Sequence, residues 1–256
     1  MGIGLLLLNL AGFFLPLRSP RLAHYQGEGG DRLHVGLEGA ALYRLAQRRP
    51  AEPLARYLHR LTTLVHEAVV HYRRPIDTLS YHLWVPPWEN WLLFLAGGVF
   101  PFWRYYEFCD PSRGLRRGIG LCSQQAMVVW GILSRQGIPA RILALNHHVM
   151  VLVRLAPSRW WILDPDLGVV IPCGPREAAR RPELVLEALR RAGHPQSKLS
   201  WARRAFAHQT QRIFTSPEDY LPRRCRLERL AYLGKWLLPA IMLLPWLWHR
   251  LRRPRE

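Results

Sequence analysis

The hydrophobic period of this chain changes abruptly within residues 109–173, and that change constrains the fold more than any other feature. Residues 123–136 place Ala126, Val129, Trp130 and Leu133 on one face at three-to-four spacing, and Gly137 stands where a helix would be capped. Three β-rich runs follow at 141–146, 148–155 and 160–164, with Pro157 and Ser158 turning between the last two. A short fourth run, 169–171, comes after Gly168. One helix followed by antiparallel strands predicts an α+β fold.

The flanks read as helical. Residues 37–74 predict two helices, the second with Leu54, Tyr57, Leu58, Leu61, Leu64, Val65 and Ala68 on one apolar face and Pro75 ending it. Residues 84–103 are rich in tryptophan. Pro86, Pro87, Gly97, Gly98 and Pro101 interrupt them, which predicts a buried or interfacial aromatic segment rather than a regular spanning helix. Residues 176–229 predict basic amphipathic helices broken at His194-Pro195.

Both ends are apolar. Residues 2–17 lack the basic start and small-residue cleavage site of a secretory signal, and the run is short for a membrane crossing. A surface anchor and a buried helix are both open readings. Residues 230–248 are apolar apart from Lys235, but Pro239 and Pro245 lie within them. With tryptophan at each end, this favours association with a membrane over a full crossing. Basic residues flank both sides, so charge does not orient it. The expected division is 1–22 apolar, 23–105 helical and Trp-rich, 106–175 core, 176–228 basic helical, and 229–256 membrane-associating.

The 256 residues carry 36 basic against 18 acidic side chains, a formal charge of +18. That excess favours contact with polyanions. Arg223, Arg224, Arg226 and Arg229, and the terminal Arg250, Arg252, Arg253 and Arg255, adjoin apolar segments. This placement suits an anionic membrane surface. No zinc-finger spacing or RNA-binding signature points to nucleic acid. The cysteines (Cys109, Cys122, Cys173, Cys225) form no CxxC pair, which argues against a thiolate metal site. Their spacing does not argue for disulfides. The expectation is three incidental thiols and a special one.

That one is Cys122. A cysteine at a helix start meets the positive end of the dipole, which stabilises a thiolate, and unpaired N–H groups there can receive an oxyanion. Gly118 and Gly120 before it allow close approach of the chain. His148 opens a strand, where the pleat aims it to one face. If the helix of Cys122 packs on that face, the imidazole can take the thiol proton. His147 points the other way, so only one of the pair can do so. Asp164 closes the next strand and can hold the second ring N–H of the histidine. Asp166 lies beyond the strand and ranks below it.

Taken in order, these stretches resemble the transglutaminase-like superfamily of papain-fold proteins. Gly120-Leu121-Cys122 is similar to its G-x-C nucleophile motif, and Gly137-Ile138-Pro139-Ala140-Arg141 to its helix-to-strand joint. His148-Val149-Met150-Val151 resembles its histidine strand, and Leu163-Asp164-Pro165 its L-D-P. The resemblance covers 109–173. It implies a papain-like core with Cys122 as nucleophile, His148 as base and Asp164 as its orienting acid, acting on a peptide, amide or ester without metal or cofactor. Trp103, Tyr105 and Tyr106 are candidates for the second oxyanion donor. Two other readings stand beside an acyl transferase or hydrolase: a non-catalytic binding or assembly module in a membrane-bound pathway, and an arylamine acetyltransferase-like enzyme.

Overall fold

The computed structural model describes residues 2–25, 39–145, 148–207 and 211–251. Its centre is a five-stranded antiparallel sheet in the order β6-β5-β4-β3-β7. The strands are β3 (Ala140–Leu145), β4 (His148–Ala156), β5 (Arg159–Asp164), β6 (Val169–Ile171) and β7 (Gln211–Phe214). A separate two-stranded parallel ribbon joins β1 (Val70–His71) to β2 (Ile119–Gly120). The predicted strands agree with β3 to β6 to within a residue or so at each end. β7 was not foreseen, because its register on β3 crosses more than 60 residues of sequence and its own pattern is nondescript.

Strict alternation gives the sheet two cores. Odd residues of β4 and β5 (Val149, Val151, Val153, Trp161, Leu163) pack under the helices Leu54–Ala68 and Cys122–Arg135. Even residues (Met150, Leu152, Ile162), with Leu143 and Val169, face the helices Pro182–Arg191 and Gln196–Ala207. The fold is therefore α+β, with helices on both faces of one antiparallel sheet.

A second assembly lies away from the sheet. The N-terminal helix Gly2–Ala11, the Trp-rich helix Pro87–Val99 and the C-terminal helix Pro222–Leu251 pack on one another. The Trp-rich segment is thus helical, although Asn90 breaks the geometry with φ −160°. The C-terminal helix runs through Pro239 and Pro245 and across the expected boundary at 228/229, so that division falls inside one element. Buried polar groups fasten the three together: Asn9 Nδ2 donates to the Lys235 carbonyl at 2.5 Å, and Lys235 Nζ to the Glu89 carbonyl at 2.7 Å. No helix among the described residues is long and apolar enough to cross a membrane.

One expectation about cysteine is corrected. Cys109 and Cys225 form a disulfide, leaving Cys122 and Cys173 as buried free thiols. Spacing could not reveal the pair, because 116 residues separate the partners.

Candidate functional site

Cys122 is the first residue of its helix, and the chain leading to it is held on every side. The helix Pro111–Arg117 ends on Gly118 in the left-handed region (φ 72°), where an added Cβ would lie 2.2 Å from the Arg18 guanidinium. β2 follows at once and is pinned by β1, with His71 opposite Gly120. A Cβ on Gly120 would come within 2.4 Å of Gln124, so the pair of glycines serves close packing beneath the helix start. Arg117 is wholly buried, donating to the carbonyls of Ile119 and Tyr106 and to Gln124 Oε1. Glu107 closes the other side: Oε1 accepts the Leu121 N–H at 3.1 Å and Oε2 accepts the Ser123 hydroxyl at 2.6 Å. A buried carboxylate thus fixes the residues on either side of the sulfur.

His148 is the first residue of β4 and Asp164 the last of β5, and these ends coincide because the strands run antiparallel. His148 Nε2 lies 2.7 Å from Asp164 Oδ2, both side chains being buried. The side chain of Cys122 also acts on the imidazole, favouring its charged form. Burial alone would push the His148 pKa down. The charge and hydrogen bond of Asp164, joined by those of Cys122, prevail and hold it well above the ordinary 6.5. Of the three residues named from sequence, His148 and Asp164 are in direct contact, and Cys122 lies near enough to act on the imidazole.

The route differs from the one expected. His148 shares its parity with Met150 and Leu152, whereas the helix of Cys122 covers the odd face. Cys122 opens its helix and His148 opens its strand, so any approach of sulfur to imidazole runs by these two starts and not across the face of the sheet. Asp164, opposite Met150 when the β4–β5 register is continued, is a diagonal neighbour of His148 on the same face. His147 lies outside the described residues.

Further groups surround this centre. Trp201 meets the His148 ring edge-to-face at 5.1 Å. Asp166 Oδ2 is 4.0 Å from His148 Nδ1, and its other oxygen is 2.6 Å from His71 Nδ1. The His71 contact and the nearby charges of His148 and Lys198 hold the Asp166 carboxyl below its ordinary range, although burial pulls the other way. Tyr220 is pushed up to about 12 by burial, then by Glu107 and Cys122, which places its hydroxyl in the field of the same site. Beyond Asp166 opens a cavity of about 490 Å3 lined by His66, His71, His194 and Lys198, a volume suited to a small ligand or side chain. Comparison with known proteins gives no match to a family model, a curated protein or a solved structure.

Two of the suggested oxyanion donors are occupied elsewhere. The Tyr106 hydroxyl donates to Glu228 at 3.1 Å, and Trp103 lines an apolar groove with Leu93 and Leu230. Tyr105 stacks on Tyr72 beneath the Arg74 guanidinium. Sequence reasoning missed Glu107, His71 and Trp201. Glu107 alone carried a signal, as an isolated acid in an aromatic stretch. His71, from β1, and Trp201, from the helix Gln196–Ala207, arrive from remote segments through tertiary packing. Among the described residues no group of side chains is arranged to hold a metal ion.

Proposed function

We propose that residues 106–175 form a papain-like, transglutaminase-type core and that the chain is a thiol-dependent acyl transferase or hydrolase of amides or esters. One observation carries this reading: a buried imidazole with a carboxylate at 2.7 Å, acted on by a thiol at a helix start. In its protonated form His148 donates from Nε2 to Asp164 and from Nδ1 toward the Cys122 thiolate. The thiolate attacks the substrate carbonyl, and the helix-start N–H groups receive the oxyanion. His148 then gives its proton to the departing amine or alcohol, leaving a thioester on Cys122. Water or an amine attacks that thioester and yields its proton to His148 as the sulfur departs. Asp164 keeps the ring oriented throughout.

The disulfide supports an oxidising compartment as the setting, since such bonds rarely persist in a reducing one. Cys173 is the natural internal control for the thiol. Burial pushes its pKa up to about 11, so only about one molecule in 10⁴ carries that thiolate at pH 7. Limited alkylation with iodoacetamide at neutral pH, followed by peptide mapping, should modify Cys122 and spare Cys173. The Cys122→Ala variant should lose both labelling and turnover, while Cys173→Ala keeps both. Equal modification of the two cysteines would end the proposal.

A further inference from the structure

The large apolar side chains left in water are not scattered. Among the described residues, all but Leu45, Leu79 and Ile213 belong to the three-helix assembly and the loops leaving its helices. Phe14 is 87% exposed and Val99 70%. Along the C-terminal helix, Leu230, Leu233, Leu238, Ile241, Met242 and Leu244 are all exposed. At about 100° per residue they sweep about half of its circumference. A soluble protein does not leave such a surface uncovered.

Charge identifies what covers it. Residues 2–22, 91–106 and 229–251, which build the surface, contain no aspartate or glutamate; their charged residues are Arg18, Arg21, Arg104, Arg229, Lys235 and Arg250. Exposed Arg223 and Arg226 continue the basic set at the start of the last helix. Apolar faces that carry no exposed acid of their own and adjoin exposed Arg21, Arg223 and Arg226 match the acyl region and anionic headgroups of a bilayer, while Arg229 is paired with Glu218 and Lys235 is buried. A docked helix or second copy would need one apolar stripe, not half a circumference on one helix plus exposed faces on two others. No described helix of the assembly is long and apolar enough to cross: the uninterrupted apolar stretch 236–248 spans about 20 Å as a helix, against about 30 Å of hydrocarbon.

We infer that the three-helix assembly is a monotopic insertion module, seated in one leaflet of an anionic membrane with Phe14 and Val99 in the acyl region. The disulfide and Glu228 tie this module to residues 109 and 110, close to the nucleophile helix. The core is thereby held at the membrane surface. The inference stands on its own surface chemistry and does not require the thiol reaction.

The test is co-sedimentation of the full chain with vesicles of phosphatidylcholine containing a quarter phosphatidylglycerol, and with phosphatidylcholine alone. The expected result is binding to the anionic vesicles that weakens at least tenfold in 0.5 M salt. Phe14→Asp/Val99→Asp should weaken it at least tenfold, since each buried large apolar side chain contributes about that factor. Leu79→Asp, off the surface, should not. Circular-dichroism melting confirms that both variants fold. Running Cys122→Ala in parallel separates the two readings, because its binding should equal that of the wild type. Failure to bind, with concentration-dependent self-association instead, would replace the lipid by a second copy and overturn the inference. Binding indifferent to Phe14→Asp/Val99→Asp would overturn it as well.

Discussion

Asp164→Asn is the sharpest test of the site. The substitution keeps the shape of the side chain, and its remaining carbonyl oxygen can still accept the Leu167 N–H, now at 3.1 Å. What it removes is the charge 2.7 Å from His148 Nε2. Burial, the largest influence on His148, is then opposed by Cys122 and by Asp166 at 4.0 Å but no longer by a carboxylate at 2.7 Å, and the imidazole falls toward its neutral form. Losing one member of a buried ion pair costs about 3–5 kcal/mol, of which the neutral hydrogen bond to Asn recovers about 1, leaving roughly 2–4. Turnover should fall about 10²–10⁴-fold, since the ring loses both orientation and charge stabilisation. The sign in pH follows from a raised histidine pKa. The stabilisation is fully present below the unfolded value near 6.5 and is lost as pH rises through the higher folded value. Urea unfolding at a series of pH values should therefore show the gap between wild type and variant widest near pH 6 and narrowing toward alkaline pH. The His148 Cε1 proton, followed by NMR, should titrate well above 6.5 in the wild type and lower in the variant. A wild-type His148 that is already neutral at pH 6 would refute the reasoning.

Two further outcomes are expected. Asp166→Asn should reduce turnover less than tenfold, because Asp166 stands 4.0 Å from the ring and already serves His71, as steady-state kinetics beside Asp164→Asn will show. Cys109→Ser/Cys225→Ser should lower the unfolding free energy by about 2–4 kcal/mol in denaturant titration, because the bond closes a loop between residues 116 apart.

What the sequence disclosed follows the range of the interactions. The helix of Cys122 and strands β3 to β6 were legible because each writes its own period, 3.6 or 2, into adjacent residues. The convergence of Cys122, His148 and Asp164 was legible only as an order of motifs, and its geometric rationale was off. Pleat parity put His148 on a face, but the helix of Cys122 took the other one, so any approach of sulfur to imidazole runs by the strand start. Contacts made by packing alone left no local trace. These are the Cys109–Cys225 bond, β7 against β3, Trp201 on His148, and His71 on Asp166. The C-terminal helix likewise extends beyond the apolar run read from sequence, passing through Pro239 and Pro245 from Pro222 to Leu251.

The segment 106–110 joins the two halves of the molecule. Glu107 holds Leu121 and Ser123 on either side of the sulfur, while two residues later Cys109 is bonded to the C-terminal helix. Glu228 of that helix accepts the N–H groups of Cys109 and Asp110 and the Tyr106 hydroxyl, so its side chain spans nearly the whole segment. Burial raises the Glu228 carboxyl above its ordinary value in spite of these donors. A strut this short transmits displacement rather than absorbing it, because close-packed interiors respond by discrete shifts. Residues 106–110 thus carry, within five positions, both the carboxylate that fixes the start of the nucleophile helix and the bonds to the C-terminal helix.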